Sequence, residues 1–322
     1  MFLSAMAMHI PDGFLSVAVS IALWVLSAAA IAYALRRTGR DLGERQIPLM
    51  GVLAAAIFAG QMLNFTVAGG TSGHLMGAAL ATILLGPWAA ILVLTAVVGV
   101  QALIFQDGGL LALGANIFNM GIVGVAVSYF AYGAISRLAR GRKWGVFAGG
   151  FGAGWLSIFI ASLAVALQLG LSGTSPANIA IPAMAAVHAV IGIGEGLITL
   201  GALAFLYAAR RDLVVQGATP AGGRSIAVWT GGLVMAIALA VLAPLASANP
   251  DGLERVAEQR GFLGRAQAST FNIIPDYVLP GVSNQAVATI LAGIAGVLIV
   301  AGVVVALSLA RRRRHAEDGS AS

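Results

Sequence analysis

Runs of apolar residues, each about as long as a membrane crossing, alternate with short polar loops along most of the chain. A spanning helix needs about 20 predominantly apolar residues. Nine such segments are predicted, at roughly 14–35, 47–66, 74–85, 88–105, 114–137, 146–170, 180–209, 226–247 and 286–310. Only Gly86-Pro87 separates the third from the fourth, and proline breaks a helix. The third is short for a full crossing, so a tilted or partly re-entrant helix is expected there. The runs lack the alternating polarity of barrel strands. The predicted fold is therefore all-α and integral to the membrane, with about seven helices in a bundle and then a two-helix hairpin. A polar stretch with Gly and Pro, Val214 to Gly223, reads as a linker. It divides the chain into residues 8–212, a linker at 213–225 and residues 226–314. The hairpin carries a polar loop, Ser247 to Asn284, long enough to be functional.

Composition sharpens this picture. Charged residues are 9% of the chain and hydrophobic residues 59%, whereas a soluble domain has roughly 25% charged residues. The net charge of +6 raises the question of nucleic acid, but the positions of the charges answer it. Arg36, Arg37, Arg40 and Arg45 follow the first helix; Arg137, Arg140, Arg142 and Lys143 follow the fifth. Arg210, Arg211 and Arg224 lie between the seventh and eighth, and Arg311 to Arg314 follow the ninth. Basic residues confined to alternate loops, and so to one side of the membrane, are topology anchors under the positive-inside rule. They place the mature N-terminus and the polar hairpin loop outside and the C-terminus in the cytoplasm, as for a multi-pass protein of a bacterial-type inner membrane. Cysteine is absent, so any metal must take nitrogen, oxygen or thioether ligands.

Two of the four histidines stand where apolar segments begin, His9 in Met8-His9-Ile10-Pro11-Asp12-Gly13 and His74 after Gly69-Gly70-Thr71-Ser72-Gly73. The topology puts both on the outer side, where they can share one ion. If the mature chain begins at Met8, its free amine, the His9 amide nitrogen and the His9 imidazole can chelate an ion in fused rings, and His74 supplies a fourth nitrogen. Four nitrogens suit Ni(II), and also Cu(II) or Co(II). Loss of the amide proton cancels one unit of the ion's charge, which eases burial. At a predicted helix start, His74 is favoured as the neutral, ligating imidazole. Imidazole titrates near 6.5 when unperturbed, so retention of the ion is expected to fall below about pH 6. Met1 to Ala7 precede Met8 and are too few for a full signal peptide. With them retained, the amine is lost and the site needs another donor.

Met8 to Ser16 (MHIPDGFLS), GTSGHLMGAALATILLGPWAAILV, GANIFNMG and HAVIGIGEGLIT together resemble the cobalt/nickel substrate-binding component of energy-coupling-factor transporters, the CbiM/NikM family. The likeness runs from about residue 8 to 210. It implies seven helices, with Met8, His9 and His74 as metal ligands. Pro250-Asp251-Gly252-Leu253-Glu254 is similar to the PDGLE motif of the family's small accessory subunit (CbiN/NikN-like), here fused at the C-terminus. The resemblance implies ion loading by that part, with Ni2+ or Co2+ as the transported substrate and no permanently bound cofactor. It also implies a transmembrane coupling protein and two cytoplasmic ATPases as partners. No Walker-type phosphate loop occurs in the chain, so ATP hydrolysis falls to those partners.

Polar residues inside membrane spans are functional candidates. His188 and Glu195 are seven apart and share a helix face; they couple occupancy to a partner or relay a proton, or else form an internal hydrogen-bonded pair. Asn116 and Asn119 face one way and are candidates to support the ion's ligands or the fold. Ser72 stands in the Gly-rich loop, and Gln61 and Asn64 are placed to orient His74 through its other nitrogen. A small-residue strip on the second helix, Ala55 with Ala59 and Ala56 with Gly60, is a candidate surface for a partner helix. An intramembrane metalloenzyme or a passive channel are the competing functions. The first needs a general base, and Glu195 is the one acid in a predicted span; against the second, a tight chelate releases slowly.

Overall fold

The computed structural model describes residues 9–41, 46–214 and 225–320. Met8 and most of the expected linker lie outside the described residues. Helices dominate, as the apolar runs dictate: with no water in a bilayer core, backbone groups must bond within their own segment. The first seven are α1 Val17–Asp41, α2 Gln46–Gln61, α3 Ala78–Leu85, α4 Pro87–Phe105, α5 Leu113–Leu138, α6 Lys143–Leu171 and α7 Ala177–Ala209. The C-terminal part adds α8 Ser225–Leu242, α9 Gly252–Arg260 and α10 Gln285–Ser320. Among the described residues six helices are long and apolar enough to cross a membrane, and α2 and Trp229–Leu245 are shorter apolar helices.

Two expectations change. The second segment does not continue to residue 66. Helix α2 stops at Gln61, and Phe65–Val67 and Thr71–Gly73 form a small antiparallel hairpin, β1 and β2, with Thr66 opposite Ser72. Gly69 and Gly70 take φ of +79° and +70° at its turn, a conformation open to glycine without cost. The segment expected at 74–85 keeps only the eight residues of α3, about 12 Å of helix. It is a half-helix. Gly86, with φ +79°, turns the chain into α4, where Pro87 occupies the first turn, the one place a helix accepts proline freely.

A half-helix leaves its first N–H groups without helical partners. Glu195 of α7 meets the chain at that end: Oε2 accepts from Met76 N at 2.7 Å and Oε1 from Gly77 N, the residue that caps α3, at 3.0 Å. The carboxylate is fully buried, and its charge suits the positive end of α3. Helices α6 and α7 pack along their length through glycines. A methyl group on Gly154 would lie 3.1 Å from the Glu195 carbonyl, and one on Gly196 2.8 Å from Phe151, so the small residues are what lets α7 come close enough.

The C-terminal part packs on the bundle rather than beside it. Helices α8 and α10 lie against α2, and Phe58 of α2 fills the space above Gly296 of α10. Ala55 and Ala59 are fully buried, so much of the small-residue strip expected to receive a partner is already covered within the chain.

Candidate metal site

The segment before α1 is not helical. It folds as a plug held by its backbone. Asn116 of α5 accepts from Ile10 N at 3.0 Å and donates to Ile10 O at 3.1 Å. Asp12 accepts from Leu110 N at 3.0 Å and Ala112 N at 2.9 Å, and Gly109 N donates to Ile10 O. Five bonds therefore fix the three residues after His9.

His9 is 3% exposed, and its ring centre lies 5.7 Å from that of His74. Two imidazoles bound to one ion through nitrogens about 2.1 Å away have centres roughly 4.5–6.5 Å apart. Asp107, in the turn after α4, faces His9: its Oδ1 is 2.9 Å from Nδ1 and 3.2 Å from the backbone nitrogen. An ionised carboxylate only accepts, so Nδ1 donates, and in the neutral ring Nε2 carries the lone pair. That Nε2 is buried and has no hydrogen-bond partner among the described residues. Burial pushes the Asp107 carboxyl up, but His9 beside it and the hydrogen bonds from His9 and Tyr277 outweigh this and hold it below its ordinary value.

His9 thus offers two ways to hold an ion. Nε2 is one. The other is the pair of amide nitrogen and Nδ1, which converge on a single point now taken by Asp107 Oδ1.

His74 does not sit at a helix start, because α3 begins at Ala78. The helix-terminus argument for its neutral form therefore fails. Nδ1 lies 3.0 Å from the Leu75 carbonyl, an acceptor, so in the neutral ring the proton sits on Nδ1.

His9, His74 and His188 line one cavity of about 90 Å³, with Met76, Met184 and Ile191 among its apolar walls. Such a space takes an ion and a few waters. His188 points Nδ1 at the Met184 carbonyl, 2.9 Å away, so His188 and Glu195 engage different partners and are not a pair. Asn116 and Asn119 line the cavity; Asn119 makes a reciprocal amide pair with Gln168 at 2.7 and 2.8 Å. Gln61 donates to the Met76 carbonyl at 3.0 Å, fixing the chain two residues beyond His74. The Asn64 carbonyl accepts from Ser247 N, while its side-chain Oδ1 is buried without a partner among the described residues. Among the described residues no three His, Asp or Glu side chains gather closely enough to hold a metal.

The PDGLE loop reaches this cavity. Asp251, Gly252 and Leu253 line it. Ser72 N donates to the Pro250 carbonyl and Ser72 Oγ to the Asn249 carbonyl, both at 2.8 Å. Helix α9 starts in a reciprocal cap: Asp251 accepts from Glu254 N, and Glu254 accepts from Asp251 N. Burial pushes Asp251 up to about 7 and Glu254 up to about 8, each raised further by the other acids nearby. Asp107, Tyr277 and Asp12 escaped the sequence reading as site residues, although an acid followed by two glycines at the end of an apolar run marks Asp107 as unusual.

Residues 9–213 match the family model for the cobalt uptake substrate-specific transmembrane region, and residues 226–313 match the PDGLE domain. The chain is 39% identical over 304 residues to a putative fused nickel transport protein, NikMN, of Archaeoglobus fulgidus, covering 94% of this chain and 98% of that one. It is 31% identical to the fused nickel transport protein NikMN of Rhodobacter capsulatus, covering 96% of this chain and 100% of that one. A crystal structure of a truncated transition metal transporter superposes with a TM-score of 0.56 at 34% identity, covering 62% of this chain and 99% of that one. The chain is thus a multi-pass membrane protein that belongs to the cobalt-uptake substrate-specific transmembrane family, carries a PDGLE domain on the same polypeptide, and serves as a non-catalytic component of cobalt or nickel transport.

Proposed function

We propose that the chain is the metal-capture component of an energy-coupling-factor ABC importer and that it holds one Ni2+ or Co2+ between His9 and His74. The observation that carries this reading is the approach of two imidazoles to 5.7 Å at one cavity, one of them with a buried, unpartnered Nε2. Two side chains are too few for a tight site, so main-chain nitrogen completes it. With Met8 as the first residue, its amine, the His9 amide and His9 Nδ1 close the fused chelate, and His74 adds the fourth nitrogen. The convergence of the His9 amide and Nδ1 on one point supports that mode. With Met1 to Ala7 retained, the amine is absent and His9 binds through Nε2 instead.

In this reading residues 8–212 capture the ion, 213–225 link, and 226–314 act as the loading part from the outer face. Met8, His9 and His74 face the extracytoplasmic side of an inner membrane, with the C-terminus in the cytoplasm. Energy comes from a coupling protein and ATPase subunits. The test is nickel retention by the purified full chain with intact-mass analysis of its N-terminus. One ion per chain on material beginning at Met8, and none on His9→Ala or His74→Ala variants that still insert in the membrane, is expected. Wild-type stoichiometry in either variant overturns the site. Uptake that requires the ATPase partners separates the importer from a metalloenzyme or a channel.

A further inference from the structure

The C-terminal part touches the metal site at a second place, away from the PDGLE loop. Tyr277 lies in the outer loop between α9 and α10. Its hydroxyl donates to Asp107 Oδ2 at 2.6 Å, while Asp107 Oδ1 accepts from the His9 amide and Nδ1. One carboxylate thus joins a residue of the accessory domain to an ion-site histidine. Asp107 is 3% exposed and Tyr277 8%, so water does not compete for these bonds.

Several independent features fix this arrangement. The Tyr277 ring stacks on Phe105 at the end of α4, with centres 4.8 Å apart and planes at 15°. Ile274 N donates to the Ile104 carbonyl at 2.9 Å, and Ile273 N to Gln106 Oε1 at 3.2 Å. Asp276 and Tyr277 have φ of +53° and +57°, and Gln106, next to Asp107, has φ +56°. A left-handed aromatic residue is rare and persists only where the surroundings dictate it. Backbone on both sides of the contact is held in unfavourable conformations at the place where the two side chains meet.

We propose that Asp107 and Tyr277 are the positioning pair of the metal site. Asp107 aims His9 and supplies the anionic neighbour of the bound ion, and Tyr277 holds Asp107 in place from the accessory domain. This rests on the assignment of His9 as a ligand. The physical reason is twofold. A carboxylate bonded to a metal-binding histidine fixes its ring and raises its basicity. A divalent charge taken into a low-dielectric cavity of neutral imidazoles also requires a nearby opposite charge. When an ion takes the point where the His9 amide and Nδ1 converge, the carboxylate becomes its immediate neighbour. The accessory domain then contributes to affinity itself, by setting the position of one carboxylate.

The experiment is a Ni2+ titration of the purified full chain and its variants, followed by the d–d absorption of the bound ion. Asp107→Asn, nearly the same shape without the charge, is expected to weaken Ni2+ binding about 10–100-fold and to shift the band. Tyr277→Phe keeps the stack on Phe105 and removes only the hydroxyl; it is expected to weaken binding several-fold and to shift the band the same way. Because Tyr277 acts through Asp107, the double variant should bind no worse than Asp107→Asn alone. Asp107→Glu, which restores the charge, should recover part of the affinity. Wild-type or tighter affinity with an unshifted band in Asp107→Asn and Tyr277→Phe, while His9→Ala binds nothing, overturns the positioning pair and leaves the metal site standing. Retention of Ni2+ by His9→Ala overturns both.

Discussion

Replacing Gly252 by alanine tests whether the accessory loop, which lines the proposed metal cavity, closes it. A β-carbon there would stand 2.7 Å from His188 Cε1, 2.8 Å from His188 Nε2 and 2.7 Å from Ile191 Cδ1. Carbon atoms rest about 3.5–4.0 Å apart, so a gap of roughly 1 Å must open. Both neighbours belong to α7, and the His188 ring is tied to the Met184 carbonyl. The Ile191 methyl can swing, but the imidazole is less free, and the loop yields with it. Overpacking of this kind costs about 1–3 kcal/mol. The backbone at Gly252 is helical, so alanine's better helix propensity works in the opposite direction by at most ~1 kcal/mol. At a central overpacking cost of about 2 kcal/mol a net of ~1–2 kcal/mol remains, and with tenfold per 1.4 kcal/mol the undocked population should rise about 5–30-fold. The assay is release of radioactive nickel from the loaded, purified chain during a chase with unlabelled ion. Release should accelerate by that factor while stoichiometry stays unchanged. Gly264→Ala, in the same loop with open space around it, should release at the wild-type rate. Equal rates for wild type and Gly252→Ala would refute the claim that the loop closes the cavity.

Other substitutions act at a distance from the ion. Asp12→Ala strands the Leu110 and Ala112 amides at about 1–3 kcal/mol and should weaken nickel affinity by loosening the plug that carries His9; unchanged affinity in a titration would count against that role. Glu195→Gln turns an amide NH2 toward the Met76 or Gly77 N–H, at about 1–3 kcal/mol, and should lower both the thermal midpoint and nickel affinity; a variant matching wild type in both refutes the cap. Asp251 and Glu254 sit above their ordinary values because they are buried. A raised carboxyl favours the docked form while protonated, so loop docking should be firmest near pH 4 and weaken as pH rises through about 7 to 8. Hydrogen exchange at 250–260, corrected for intrinsic rates, should show falling protection over that window, and Glu254→Gln should flatten the fall; a flat wild-type profile contradicts it.

The helices were legible because a membrane helix needs little beyond a long apolar run. The β1–β2 hairpin was not, because Phe65-Thr66-Val67 prolongs the apolar run of α2 and two isolated polar residues, Gln61 and Asn64, are too slight an interruption to mark the break. The proposed ligands His9 and His74 stood out as rare residues at span edges, and the structure brings them together at one cavity. Their supports did not stand out, since each works through a partner far away in sequence. Asp107 meets His9 across 98 positions and Tyr277 across 170. Asn116 was recognised as polar within a span, but what it holds is the backbone of Ile10, to which side-chain patterns are blind. His188 and Glu195 illustrate the opposite error. Seven residues on a shared face are about 10.5 Å apart along the axis, and each finds a different partner.

The central claim is that one ion sits between His9 and His74. Anomalous diffraction at the nickel edge from crystals of the full chain grown with Ni2+ tests it most directly. The account predicts one strong peak in the cavity, within about 2.1 Å of a nitrogen of each histidine. A peak elsewhere, or one touching only a single histidine, would contradict it.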